Sequence, residues 1–113
     1  MAIIEELMNS AEADVNVLKA LNSQGDNFTI FREVDFLIEA PSEEKAELIC
    51  GFINDFNYGK ADLDGEADGV YKVKVIIEMP VTQNIISSVA GFMLCVANLF
   101  GGNLNGWGCV AQT

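Results

Sequence analysis

From Met79 to Thr113 no residue is charged, although the chain as a whole carries a formal net charge of −11. A disordered tail should be polar or charged, and this run is uncharged and largely apolar. Its most apolar part, Ile85–Phe100, is too short to span a bilayer and is interrupted by Ser87, Ser88 and Asn98. The run must therefore be covered by the rest of the fold. Ile85, Val89, Phe92, Val96 and Leu99 make one helical stripe, and Ile86, Met93 and Phe100 make a second. Two stripes predict a helix buried on more than one side, one side facing a sheet and the other a helix or a second subunit. Gly101-Gly102 closes it. The remainder, GGNLNGWGCVAQT, reads as a last strand. Strict alternation puts Leu104, Gly106, Gly108 and Val110 on one face and Asn105, Trp107, Cys109 and Ala111 on the other. Glycines two apart leave one face open to close approach.

Upstream, Ile4, Leu7, Ala11, Val15, Leu18 and Leu21 recur at helical spacing and predict a helix over Ile3–Asn22, stopped by Gly25-Asp26. The stretch NFTIFREVDFLIEAP alternates instead. Phe28, Ile30, Val34, Phe36 and Ile38 share one face, while Phe31, Glu33, Asp35, Leu37 and Glu39 share the other. Arg32 breaks the apolar face, which predicts a register shift or a partner there. Ser42 is a suitable N-cap, followed by Glu43 and Glu44 in the electropositive first turn. Ile49, Phe52, Ile53 and Phe56 form the buried stripe of that helix. A short strand is expected over Tyr58–Leu63, then a polar turn in DLDGEADG, then a strong strand in VYKVKVIIEM. In that strand Tyr71, Val73, Val75, Ile77 and Met79 face inward. The order is a helix followed by β-α-β-β-α-β. It predicts an α+β, ferredoxin-like fold: a four-stranded antiparallel sheet with an additional N-terminal helix. One domain is expected over residues 1–113, with the extra helix in 1–25 and the core in 26–113.

Composition removes whole classes of function. Lys and Arg number 6 against 17 Asp and Glu, which argues against direct nucleic-acid binding and against an anionic membrane surface. An acidic field suits a basic or mixed protein partner. The absence of histidine removes Ser-His-Asp and Cys-His nucleophiles and most zinc sites. Cys50, Cys95 and Cys109 are odd in number and widely spaced, so neither a disulfide framework nor a metal site is indicated. MAIIEELM lacks the basic start of a secretory signal. A reduced, cytoplasmic protein is expected.

Three stretches in order, VLKALNSQGDN, FREVDF and NGWG, resemble the RraB family, the regulators of ribonuclease E activity. The resemblance runs from Asp14 to Ala111. It implies a small bacterial cytoplasmic protein of ferredoxin-like fold without catalysis of its own. In the family's best-known member it implies binding to ribonuclease E outside the catalytic core and inhibition of RNA processing. Gly25, Asp26, Arg32, Val34, Asp35, Gly106, Trp107 and Gly108 match the family pattern, and structural roles are expected for them. The sequence departs from the pattern at Phe36, where histidine is frequent, and lacks the long acidic tail after the last strand. A grip that depends on such a tail is not expected here.

The acidic stretch Asp62, Asp64, Glu66 and Asp68 is not an EF-hand, because Gly65 comes too early and Glu78 too late. It reads as a solvated loop. Glu33 and Asp35 are placed to pair with Lys72 and Lys74 across the sheet. No catalytic, cofactor-binding or metal-ligating residue is assigned. The candidate partner-binding residues are Phe31, Leu37, Ile76 and Trp107, expected to point away from the two main helices. Apolar patches rimmed by charge mark docking sites. The first functional reading is therefore a non-enzymatic regulator docking on a protein partner, a ribonuclease or its scaffold. The second is a structural homodimer holding a small ligand between subunits.

Overall fold

Strand β1 (Arg32–Ala40) lies inside the sheet, flanked by β3 (Val70–Met79) and β4 (Asn103–Gly108), with β2 (Lys60–Ala67) beyond β3. The computed structural model describes residues 2–113. Met1, the first residue of the expected 1–25 helical segment, lies outside them. Three helices complete the fold: α1 (Ala2–Ser23), α2 (Glu43–Asp55) and α3 (Gln83–Leu99). The class is α+β and the element order is the expected one. The sheet order is β2-β3-β1-β4 and every pairing is antiparallel.

Alternation along β1 and β3 sets which face is buried. Val34, Phe36, Ile38, Val73 and Val75 are fully buried, and they meet Ala46, Ile49 and Ile53 of α2 and Ile86, Ala90 and Met93 of α3. Each large side chain removed from water in this way contributes roughly 1.5–3 kcal/mol. Helix α2 lies over β2 and β3, while α3 lies over β1 and β4. Helix α1 packs on α3 and reaches the sheet at β4. Helix α3 is covered on two sides, but not along the whole of the first expected stripe, because Ile85 and Leu99 are exposed. Ile86 and Met93 face the sheet, and Gly91 lies under Leu7 of α1. Ser42 caps α2 by accepting from the Lys45 N–H at 3.2 Å. The Asn54 side chain clamps the start of β2, donating to the Ala61 carbonyl and accepting from its N–H.

Four local expectations are corrected. Phe28 and Ile30 are not in the first strand: the Asn27 side chain and carbonyl accept from Thr29 and Ile30, forming a turn, and β1 starts at Arg32. Phe56 leaves the stripe of α2, because it is the C-cap and stands 66% exposed. DLDGEADG is mostly strand. β2 continues to Ala67, with a register shift between Leu63 and Glu66, and the reversal is the two residues Asp68-Gly69. Both have positive φ, 53° and 79°, the geometry of a tight hairpin turn that follows the twist of its strands.

The fourth correction concerns β4. Phe36 pairs with Trp107 and Ile38 with Leu104, so one residue of β1, Leu37, opposes two of β4, Asn105 and Gly106. Gly106, at φ 89°, absorbs the extra residue as a β-bulge. Cross-strand partners share a face. Leu104 and Trp107 therefore both face the helices, whereas strict alternation had separated them. Gly106→Ala forces a side chain into that conformation and is expected to cost about 1 kcal/mol, or roughly 5 °C in a thermal melt followed by circular dichroism. Gly108→Ala, at a position with open space and no positive φ, should melt with the wild type.

Candidate functional site

The residues singled out from the sequence separate into three places. The first is an internal lock. Arg32 sits on the apolar face of β1 and is 5% exposed. Its guanidinium makes a bidentate pair with Asp26, both bonds at 2.8 Å, and donates to the carbonyls of Ile30 and Asn27. It also lies 3.8 Å from Cys109 Sγ. Asp26 accepts in addition from the Gln112 N–H, and Asn27 N–H donates to the Gln112 carbonyl. The partner that Arg32 required is thus part of the chain itself. Asp26 is placed there by the helix exit, where its N–H bonds the Leu21 carbonyl and the Gly25 N–H bonds Asn22, closing α1 with a Schellman pattern.

The second place is a cleft of about 380 Å³ between α1, α3 and β4. Trp107 was expected on the open face of the sheet and is not there. The bulge turns it toward the helices, where its indole N–H donates to Asp14 at 2.8 Å. Asp14 is 2% exposed, and its other oxygen accepts from the Ser87 hydroxyl at 3.2 Å. One carboxylate therefore ties α1 to α3 and β4. Sequence reasoning missed it. The signal was a lone acid at position 14 between Ala11 and Leu18, on the otherwise apolar stripe of α1. Besides Asp14 and Trp107, the cleft is lined chiefly by Glu6, Ser10, Val17, Leu94 and Leu104.

The third place is the uncovered face of the sheet. Leu37 and Ile76 are half-buried diagonal neighbours, since Leu37 pairs with Lys74 and Ile76 with Asp35. Phe31, just before β1, is 63% exposed. Lys74 reaches Asp35 at 4.0 Å in an exposed pair, which contributes about 0–1 kcal/mol. Of the acidic stretch, Asp62, Asp64 and Glu66 lie exposed along β2 and Asp68 in the turn. Among the described residues no cluster of three or more acids or cysteines is arranged to hold a metal.

Residues 11–109 match the sequence model of RraB, regulator of ribonuclease activity B. The chain belongs to the RraB family. No curated protein matches it. The geometry shows what the RraB-pattern residues do in this chain. Gly25 and Asp26 end α1, and Arg32 locks Asp26 in place. Val34 is core, Gly106 makes the bulge and Trp107 holds Asp14. Asp35 and Gly108 are cross-strand partners at the β1–β4 edge. Among the described residues no helix is long and apolar enough to cross a membrane. The three cysteines are free and half-buried. Burial pushes the Cys50 thiol up, and Asp62 and Glu47 push the same way, which keeps it protonated and a poor nucleophile.

The two buried carboxylates titrate in opposite directions. The hydrogen bonds from Arg32 hold Asp26 below its ordinary value of 3.8. Its contribution to stability is present above pH 3.8 and is lost as pH falls through the depressed folded value. Burial, the larger effect, raises Asp14 above 3.8, with Trp107 and Ser87 pulling it back in part. That group favours the fold in its protonated form, so its contribution declines as pH rises from 3.8 through the raised value. In urea titrations Asp26→Asn is expected to cost about 3–5 kcal/mol near neutrality, by stranding a buried guanidinium. That cost should shrink below pH 3.8, where the wild type loses the same pair. Asp14→Asn should show the opposite slope, gaining on the wild type as pH rises above 3.8.

Proposed function

We propose that this RraB-family chain is a non-enzymatic regulator that restrains a protein partner by docking on it through the uncovered face of the sheet. The observation that carries this reading is the half-exposed pair Leu37 and Ile76, rimmed by charged residues of β1 and β3, with Phe31 exposed at one end. Such a patch supplies an apolar anchor inside a polar rim, the usual anatomy of a docking surface. The family points to a ribonuclease or its scaffold as that partner, and the net charge of −11 favours a basic segment on it. We read the β2-β3-β1-β4 order with helices on one face as ferredoxin-like, and residues 1–113 as one domain. The cytoplasm, where free thiols stay reduced, is the compartment that fits. Trp107 stays a partner-binding candidate only through the cleft, since its ring does not reach the open face.

A second reading, a homodimer, draws on Leu99 of the uncharged helix α3, which stands 83% exposed. Met93 has no part in it, being 1% exposed.

The test is RNA cleavage by the purified ribonuclease E of the same organism, titrated with this chain. Inhibition is expected, and Leu37→Glu combined with Ile76→Glu should weaken it at least about tenfold while leaving the circular dichroism spectrum unchanged. No inhibition by the wild type, or full inhibition by the double variant, overturns the reading.

A further inference from the structure

β4 is an edge strand. Among the described residues its backbone makes no hydrogen bond to any element other than β1. Natural edges are protected by charges, prolines, bulges or cover. β4 has no charge and no proline, and only its bulge at Gly106 interrupts it. The position of α1 gives that edge a purpose. Helix α3 rests on both β1 and β4, and α1 packs beside α3 on the β4 side. The cleft lies between α1, α3 and β4 and is bordered by Asn103, Leu104, Gly106 and Trp107 of that edge strand.

The walls of the cleft restrict what enters it. Glu6, Ser10, Ala13 and Val17 are successive positions on one face of α1, and the small Ser10 and Ala13 leave room for a backbone. Leu94, Leu104 and Trp107 make an apolar floor. The charged lining residues are Glu6 and Asp14, and no Lys or Arg lines the cleft. Asp14 is already engaged by Trp107 and Ser87, which leaves Glu6 as the free carboxylate.

We propose that this cleft receives an extended, basic segment of a partner protein, which adds to the free edge of β4 as a fifth strand. Main-chain pairing with β4 holds the segment, an apolar side chain rests on Leu104 and Trp107, and a Lys or Arg faces Glu6. This surface is separate from Phe31, Leu37 and Ile76, so its failure leaves the regulatory reading standing, and the reverse.

Trp107 is the only tryptophan and sits in the cleft, so its fluorescence reports occupancy directly. The probe is a synthetic peptide of about ten residues, the length of a long strand, alternating Lys with Val. Two control peptides carry Glu in place of Lys, or N-methyl groups on alternate amides that remove main-chain donors. A saturable change with the Lys peptide is expected, weakened about tenfold by Glu6→Lys and by added salt, and absent with both controls. Binding of the N-methylated peptide equal to that of the parent overturns strand addition. Indifference to Glu6→Lys overturns the charge assignment. No saturable change, or a concentration-dependent Trp107 signal without peptide that tracks a dimer on a sizing column, overturns the proposal, the dimer giving the edge to a second copy.

Discussion

The buried pair between Arg32 and Asp26 is the constraint on which the chain path depends. A guanidinium on the core face of a central strand is costly unless every donor is met. Here Asp26 takes two bonds, the carbonyls of Ile30 and Asn27 take two more, and Cys109 Sγ stands beside it. Meeting those donors fastens the short link between the exit of α1 and the start of β1 and brings the distant residues after β4 against it. Those residues are fastened by the Gln112 N–H on the same carboxylate. The pair gives register more than net stability. Any slip of β1 by one residue would turn the guanidinium to the wrong face and leave Asp26 buried alone.

A second constraint follows in β4. With Asn103 fixed opposite Glu39 and Gly108 opposite Asp35, one residue of β4 is in excess. Gly106 takes it, and Trp107 turns inward. The indole then meets the Asp14 carboxylate, whose other oxygen is taken by Ser87. Helix α1 is thus joined to the body at Asp14 by polar bonds and at Leu18 and Leu21 by burial. Its N-terminal half packs beside α3, with Leu7 over Gly91, and lines the cleft with Glu6, Asn9 and Ser10. The cleft is a consequence of this arrangement rather than a defect in packing.

Membership of the RraB family is carried by the scaffold. Arg32, Asp26 and Trp107 make contacts within the chain, and Val34 is in the core. The surfaces proposed for partners use mostly other residues: Leu37, Ile76 and Phe31 on one side, Glu6 and Leu104 on the other, where Trp107 alone is shared with the family pattern.

The sequence alone determined the element order, the α+β class and the core faces of β1 and β3. Those depend on local periodicity, and Val34, Phe36, Ile38, Val73 and Val75 repeat every second residue without interruption. It also marked Arg32 as an anomaly in need of a partner, whereas Asp14, a lone acid on an apolar stripe, went unread. Only the tertiary structure decided which group answered each anomaly, because Asp26, Ser87 and Trp107 are brought in by chain reversals that no local pattern encodes. The face of Trp107 was beyond the sequence for the same reason. Alternation assigns faces correctly only while the register is unbroken, and the bulge at Gly106 arises from pairing with β1, not from the residues of β4 themselves.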